Sequence, residues 1–238
     1  NLRSGFRKVI ISGRNAVIEA KKSGAAKKII VRHGASIHFD NVDIPFEVMG
    51  KRAFEEIYGT ETQGVAAEIN DFVYADLKDM LQNTAEMKGA VFLDKIQDPH
   101  NFGAIIRAAH CFGIRNIVVP RHDQAKISAA VFKASAGALF YMSVAEAVNL
   151  GQAIDEFKDR GFSIAAADTA GNINLKKSDG MVKYPLGIII GSEGRGIRES
   201  ILERADYRLK IDMDSDIDSL NAAMSAAIVL YQLFGKPQ

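Results

Sequence analysis

The chain has 238 residues, 47% of them apolar and 25% charged, with a formal net charge of +1. That is an ordinary soluble globular composition for one large or two modest domains, and no apolar run approaches the roughly 20 residues that a bilayer span needs. The single cysteine, Cys111, excludes an internal disulfide framework and fits a reducing cytosol, so a cytoplasmic location is expected and Cys111 is read as core. The chain opens NLRSGFRKVI without Met or a signal-like apolar stretch and reads as trimmed.

Charge is unevenly distributed. Residues 1–32 carry nine Lys or Arg against Glu19 alone, and residues 33–75 carry eight acids against Lys51 and Arg52. Such a basic segment suits a phosphate-contacting surface, with Arg7, Lys8, Arg14 and Lys21 as candidates; a solvated helix face is the other reading, and charge alone leaves both open.

The first 75 residues read as a small α/β unit. VIIS (9–12) is a strand, Asn15 can cap a helix through Lys22, and IIVR (29–32) is a second strand. KRAFEEIY (51–58) is an amphipathic helix ended by Gly59, and VAAEI (65–69) is a strand. Residues 76–87 are polar, hold one short helical pattern and read as a linker to a second domain, 88–238.

In that domain strands are expected at 90–94, 116–119, 162–167, 187–191 and 207–211. Helices are expected at about 102–112, 128–135, 144–159, 198–204 and 219–234. Strand and helix alternate, and the strands are almost continuously apolar, which predicts a parallel sheet covered on both faces. Ligands of such sheets bind at the carboxyl ends of strands.

One such end reads GIIIGSEGRGI (187–197). It lacks the Lys-Ser/Thr of a P-loop and inverts the dinucleotide spacing, running G-x-x-G-x-G from Gly191. Glu193 would repel a pyrophosphate but not S-adenosylmethionine, which has a cationic sulfonium and no phosphate. A plain strand-to-helix turn is equally compatible with this loop alone. In DKIQDPHNFGAIIRAAHCFG (94–113), Asn101 lies near a helix cap, and Arg107 either reaches solvent or aims at an anion. In KIDMDSDIDSLNAAMSAAIVLYQLF (210–234), Ser219 is the expected cap, and the freed amides behind it suit a carboxylate. Its alternating aspartates fail the EF-hand pattern, because Ile217 and Ala223 stand where Gly and Glu belong. The five histidines lack a zinc-spaced partner set, so no metal is expected.

Taken in order, D-x-x-N-x-G-A-I-I-R-A-A (98–109), I-I-G-S-E-G-R-G-I (189–197) and I-D-M…S-L-N (211–221) resemble the three motifs of the SpoU class, the TrmH family of RNA ribose 2′-O-methyltransferases in the SPOUT superfamily. KASAGA (133–138) fits the same family. ISGRNAVIEA (11–20) and TQGVAAEI (62–69) resemble the substrate-binding domain of the bacterial 23S ribosomal-RNA guanosine 2′-O-methyltransferases. The resemblance implies a deep trefoil knot at the C-terminal end, S-adenosylmethionine as cofactor and a homodimer formed through the C-terminal domain. It places cofactor contacts at Ile190, Gly191, Ile211, Met213 and Leu220, catalysis at Arg107, and Asn101, Glu193, Ser219 and Asn221 around the site. Arg107 would also touch RNA. The third motif departs from the family pattern: Asp212 replaces a proline, Ser215 a glycine, and Ala222 a valine. A transfer-RNA substrate, or a non-catalytic RNA-binding or ribosome-assembly protein on the same fold, are the alternatives.

Overall fold

The computed structural model describes residues 8–37, 39, 43–214 and 220–235. In chain order its elements are β1 (Lys8–Ser12), α1 (Arg14–Lys22), β2 (Ala26–Arg32), β3 (Phe46–Met49), α2 (Lys51–Tyr58), β4 (Val65–Asn70), α3 (Leu77–Gln82), β5 (Gly89–Asp94), α4 (Pro99–Cys111), β6 (Asn116–Pro120) and α5 (Ala129–Ala134). There follow β7 (Ser143–Ala147), α6 (Leu150–Lys158), β8 (Ser163–Ala167), β9 (Ile173–Asn174), β10 (Leu186–Gly191), α7 (Glu199–Leu202), β11 (Tyr207–Lys210) and α8 (Ala222–Phe234). By contacts the chain forms two units, one of residues 1–73 with 127–141, the other of 74–126 with 142–238.

The first unit is a four-stranded sheet in the order β1-β4-β2-β3, antiparallel except for the β2–β3 pair. Helix α1 buries Ala16, Val17 and Ala20 and leaves Lys21 and Lys22 on its outer side. Gly13, at φ +97°, occupies the position before the helix, and the Gln63 side chain accepts from the Arg14 N–H at 2.8 Å, so the expected cap at Asn15 is a helical residue instead. Ile30, Phe54 and Ala66 form the core between β2, α2 and β4. The KASAGA segment packs here. A Cβ at Gly137 would stand 2.5 Å from the Cβ of Glu19, and the Tyr141 hydroxyl donates to Glu19 Oε2 at 2.7 Å.

The second unit is a seven-stranded sheet in the order β7-β6-β5-β10-β8-β11-β9, parallel throughout. All six residues of β5 are buried, as expected of a central strand covered on both sides. On one face Phe92, Val118, Ile164 and Ile189 meet Ile154 and Phe157 of α6 and Ile201 and Leu202 of α7. Phe92, Phe157 and Phe162 stack edge to face at 5.1 Å, a geometry favoured by the ring quadrupole. Side chains alternate along a strand, and on the other face Phe234 of α8 covers Gly89, with α4 packed against α8.

Several sequence expectations change. Residues 143–147 are a strand, not the start of a helix; β6 offers this short segment a full ladder, and α6 starts only at Leu150 behind the Asn149 cap. The short strands β3 and β9 carry too few residues for a periodic signal. The segment read as a linker holds α3, and its Met80 and Leu81 are buried in the core of the second unit. Cys111, expected in the core, is exposed in the last turn of α4. Among the described residues, no helix is long and apolar enough to cross a membrane.

Candidate functional site

The carboxyl ends of β5, β10, β8 and β11 lie side by side in the parallel sheet, and the chemistry-bearing side chains collect there. Strand β5 ends at Asp94. Its carboxylate has no exposed surface and accepts from the backbone N–H of Arg198 at 2.9 Å, from Arg198 Nε at 2.8 Å and from Nη2 at 2.7 Å. The loops following β5 and β10 are thereby tied at their roots. The cap of α4 is Asp98, which accepts from the His100 N–H at 2.9 Å, with Pro99 in the first helical position. Asn101 is therefore inside the first turn rather than at the cap, and its Nδ2 is free to donate to Glu193 Oε1 at 2.8 Å.

Glu193 is presented by a tight loop. A Cβ on Gly191 would stand 2.3 Å from the carbonyl carbon of Gly196, so only glycine lets the loop fold back onto the strand end. Two backbone bonds between Ser192 and Gly196, at 3.1 and 2.9 Å, hold it closed.

Two clefts flank this loop. The first is lined by Lys95, Ile96, Gln97, Asp98, Asn101, Asp123, Ser192, Glu193, Arg195 and Ala222. Lys95 and Asp123 both adopt left-handed backbone angles, φ +62° and +58°, and pair at 2.7 Å. The hydrogen bond from Lys95, and then its charge, hold the Asp123 carboxyl below the usual carboxylate range. Non-glycine residues in such conformations concentrate at functional sites. The second cleft encloses about 430 Å³ and is lined by Ile190, Gly191, Glu193, Arg195, Asp168, Arg208, Leu220 and neighbours. That volume falls in the roughly 300–1,000 Å³ range of small-molecule sites. It continues into a small recess formed by Leu209, Ile211, Met213 and Leu220. Asp168 lines both parts, and Arg208 donates to its Oδ2 from Nε at 2.9 Å and from Nη2 at 2.7 Å. Beyond β11, Asn174 Nδ2 donates to Asp212 Oδ2.

The sequence candidates therefore divide. Asn101 and Glu193 are joined at the first cleft; Ile190, Gly191, Ile211, Met213 and Leu220 line the second cleft or its recess. Asn221 is the true cap of α8, accepting from the Met224 N–H at 2.7 Å, and lines neither cleft. Ser219, the expected cap, and Arg7 lie outside the described residues. Arg107 is exposed, lines none of these clefts, and its side chain makes no hydrogen bond or ion pair among the described residues. In the first unit Lys8 pairs with Glu68 at 2.9 Å, Arg14 donates to the Ser36 carbonyl, and Lys21 lies 5.9 Å from the Phe39 ring centre. Lys22, Lys28 and Arg32 are also paired, with Glu19, Glu47 and Glu55. Among the described residues, four basic side chains of the segment are thus paired with acids, three of them with acids that follow it in sequence. Sequence reasoning missed Asp94, Asp168, Asn174, Arg198 and Arg208. A readable signal existed for two: FLD (92–94) and AAAD (165–168) each end a buried apolar run in an acid.

The sequence model of the SpoU rRNA Methylase family matches residues 88–231. A protein of Staphylococcus epidermidis, provisionally named a TrmH family tRNA/rRNA methyltransferase, is 32% identical over 240 residues, which is 96% of each chain. The SpoU methyltransferase AviRb from Streptomyces viridochromogenes, solved in complex with AdoMet, matches with a TM-score of 0.75 at 20% identity, over 94% of this chain and 88% of its own. An AdoMet-bound rRNA methyltransferase from Sinorhizobium meliloti matches with a TM-score of 0.75 at 23% identity, over 95% and 86%. At those identities the two structures show the common fold.

Proposed function

The chain belongs to the SpoU rRNA methylase family, and from that membership we propose that it methylates a ribose 2′-hydroxyl of RNA with S-adenosylmethionine, a guanosine of 23S ribosomal RNA being the favoured target. The observation that carries the reading is the Asn101–Glu193 bond, which couples the motif loops after β5 and β10 where two clefts adjoin.

The second cleft fits the cofactor chemically. It sets three carboxylates (Asp168, Glu193, Glu199) against two guanidiniums (Arg195, Arg208), a balance unsuited to a phosphate chain and suited to a zwitterion with a cationic sulfur. The recess of Leu209, Ile211, Met213 and Leu220 offers apolar surface for a nucleobase. When bound, the cofactor supplies an electrophilic methyl group. The residues of this chain have the remaining work. Arg107 cannot act as a base, because a guanidinium stays protonated. Its role in this reading is to hold the phosphate beside the target ribose and to stabilise the alkoxide that develops, while the proton leaves to a phosphate oxygen or water. Glu193, occupied by Asn101, braces the loop. The first unit contacts RNA through Arg14, Lys8 and Lys21; exposed pairs such as Lys8–Glu68 contribute only about 0–1 kcal/mol, so a phosphate can displace the carboxylate.

Arg107 lies away from the clefts of its own chain, and this supports a homodimer. Met224, Ile228 and Tyr231, which are 55%, 40% and 63% exposed, fall on one face of α8, and Tyr231 stacks on Phe112 just beyond α4 at 5.8 Å. In this reading two copies meet there, and Arg107 of one serves the cleft of the other. A threaded C-terminal segment belongs to the same proposal.

The test is transfer of labelled methyl to unmodified ribosomal RNA, with transfer RNA and Arg107→Ala alongside, and digestion to nucleosides. A 2′-O-methylated guanosine in ribosomal RNA, lost in the variant, is the expected result. Label in transfer RNA alone moves the substrate; no label and no cofactor binding would leave an RNA-binding protein on this fold.

A further inference from the structure

We infer that Asp168 and Arg208 together receive the amino-acid end of S-adenosylmethionine, Asp168 taking the α-ammonium and Arg208 the α-carboxylate. The inference rests on the cofactor reading proposed above and assigns residues that the three motifs do not contain.

Three observations carry it. First, the position is defined by the two parts of the cleft. Ala167, Asp168, Thr169, Leu220 and Ser225 line both the apolar recess and the wider polar part, whereas Arg208 lines only the polar part. A ligand with its base in the recess leaves it past these shared residues, Asp168 among them, and Arg208 stands beside Asp168 in the polar part. Second, both groups retain bonding capacity. Asp168 Oδ2 accepts twice from Arg208 and Oδ1 accepts from the Ala170 N–H at 3.1 Å, which fills three of about four lone-pair sites on a carboxylate. Arg208 uses Nε and Nη2 on Asp168, leaving other N–H groups of its fork for a second carboxylate. Third, the pair is superfluous as a fastener. Strands β8 and β11 are already joined by their ladder and by the Asp168 N–H to Leu209 carbonyl bond at 2.9 Å, while the side chains remain 16% and 41% exposed at the cleft.

The other charged groups of the cleft are less suited. Glu193 is committed to Asn101, Glu199 is exposed at the start of α7, and Arg195 is an exposed residue of the loop shared by both clefts. An adjacent carboxylate–guanidinium pair presents acceptor beside donor, which is the complement of an amino-acid zwitterion. The start of α8, represented in the cleft by Leu220 and Ala222, adds a helix end that favours the anionic half.

The experiment uses two thioethers. S-adenosylhomocysteine carries the amino-acid end, and 5′-methylthioadenosine keeps the nucleoside and sulfur but ends in a methyl group. Binding of each is measured by calorimetry to the full-length protein and to Asp168→Asn and Arg208→Lys, with thermal melting run to confirm that each variant is folded. The expected result is that S-adenosylhomocysteine binds either variant roughly 10- to 100-fold more weakly, while 5′-methylthioadenosine is unchanged within about twofold. Arg208→Lys keeps the charge and tests the fork. Equal weakening of both ligands would mean that the pair shapes the nucleoside pocket, and the inference falls. No weakening of either would overturn it as well. If the unaltered protein binds neither thioether, the cofactor reading itself fails and takes the inference with it.

Discussion

Asp94 and Arg107 are opposite kinds of residue, and stability measurements separate them. Asp94 is a carboxylate without exposed surface that holds three donors of Arg198; removing a buried hydrogen-bonded charge partner is costly. Arg198, whose side chain is 45% exposed, can turn to water once its partner is gone, which moderates the loss. We expect Asp94→Ala to lower unfolding free energy by about 2–3 kcal/mol in urea denaturation. A change below ~0.5 kcal/mol would mean that the tie between the β5 and β10 loops is not structural. Arg107→Ala should do the reverse, shifting stability by less than about 0.5 kcal/mol while lowering methyl transfer at least ~100-fold. An equal loss of both would make Arg107 a folding residue. Lys8→Ala, which breaks a pair whose lysine is 75% exposed, should leave stability unchanged within about 0.5 kcal/mol.

The element that sequence comparison made doubtful is the loop after β11, where Asp212 stands in place of the family's proline. A proline narrows backbone freedom by fixing φ. Here the restraint is a side-chain bond: Asn174, at the end of β9, accepts from the Lys176 N–H at 2.8 Å and donates to Asp212. Because β9 is itself paired to β11, the loop is pinned to the sheet beside Ile211 and Met213, which line the recess. Asn174→Ala and Asp212→Ala should each weaken S-adenosylhomocysteine binding by roughly 3- to 10-fold. The double variant should be no weaker than the worse single one, since both remove one bond. Fully additive losses would show two independent effects and no clip. Helix α8 is the other informative element. Met224, Ile228 and Tyr231 are exposed on one of its faces, which suits an interface. Tyr231→Glu should convert a dimer to a monomer in sedimentation, and a variant that stays dimeric would direct attention to another face.

For the whole molecule, the division into units is set by contacts rather than by chain order. Residues 127–141 follow β6 in sequence yet pack on the first unit through Gly137, Tyr141 and Lys133, whose Nζ donates to the Glu61 carbonyl at 2.9 Å. The segment that carries KASAGA therefore bears on α1, the helix that presents Lys21 and Lys22. Its family-like sequence gains a physical reason here, because a side chain at Gly137 would collide with Glu19.

The sequence alone determined the α/β class, the parallel order of the second sheet's strand–helix units, and the family, because apolar runs of strand length and three ordered motifs are local properties of the chain. It also named Asn101, Glu193 and, of the residues that line the second cleft and its recess, Ile190, Gly191, Ile211, Met213 and Leu220. Only the tertiary structure decided which groups meet. Asp94 with Arg198, Asp168 with Arg208 and Asn174 with Asp212 are separated by 104, 40 and 38 positions. No periodicity links residues so far apart; strand register and the order β5-β10-β8-β11-β9 bring them together. The same holds for β7, which is a strand because β6 completes its backbone hydrogen bonds, a partner that no reading of residues 143–147 contains.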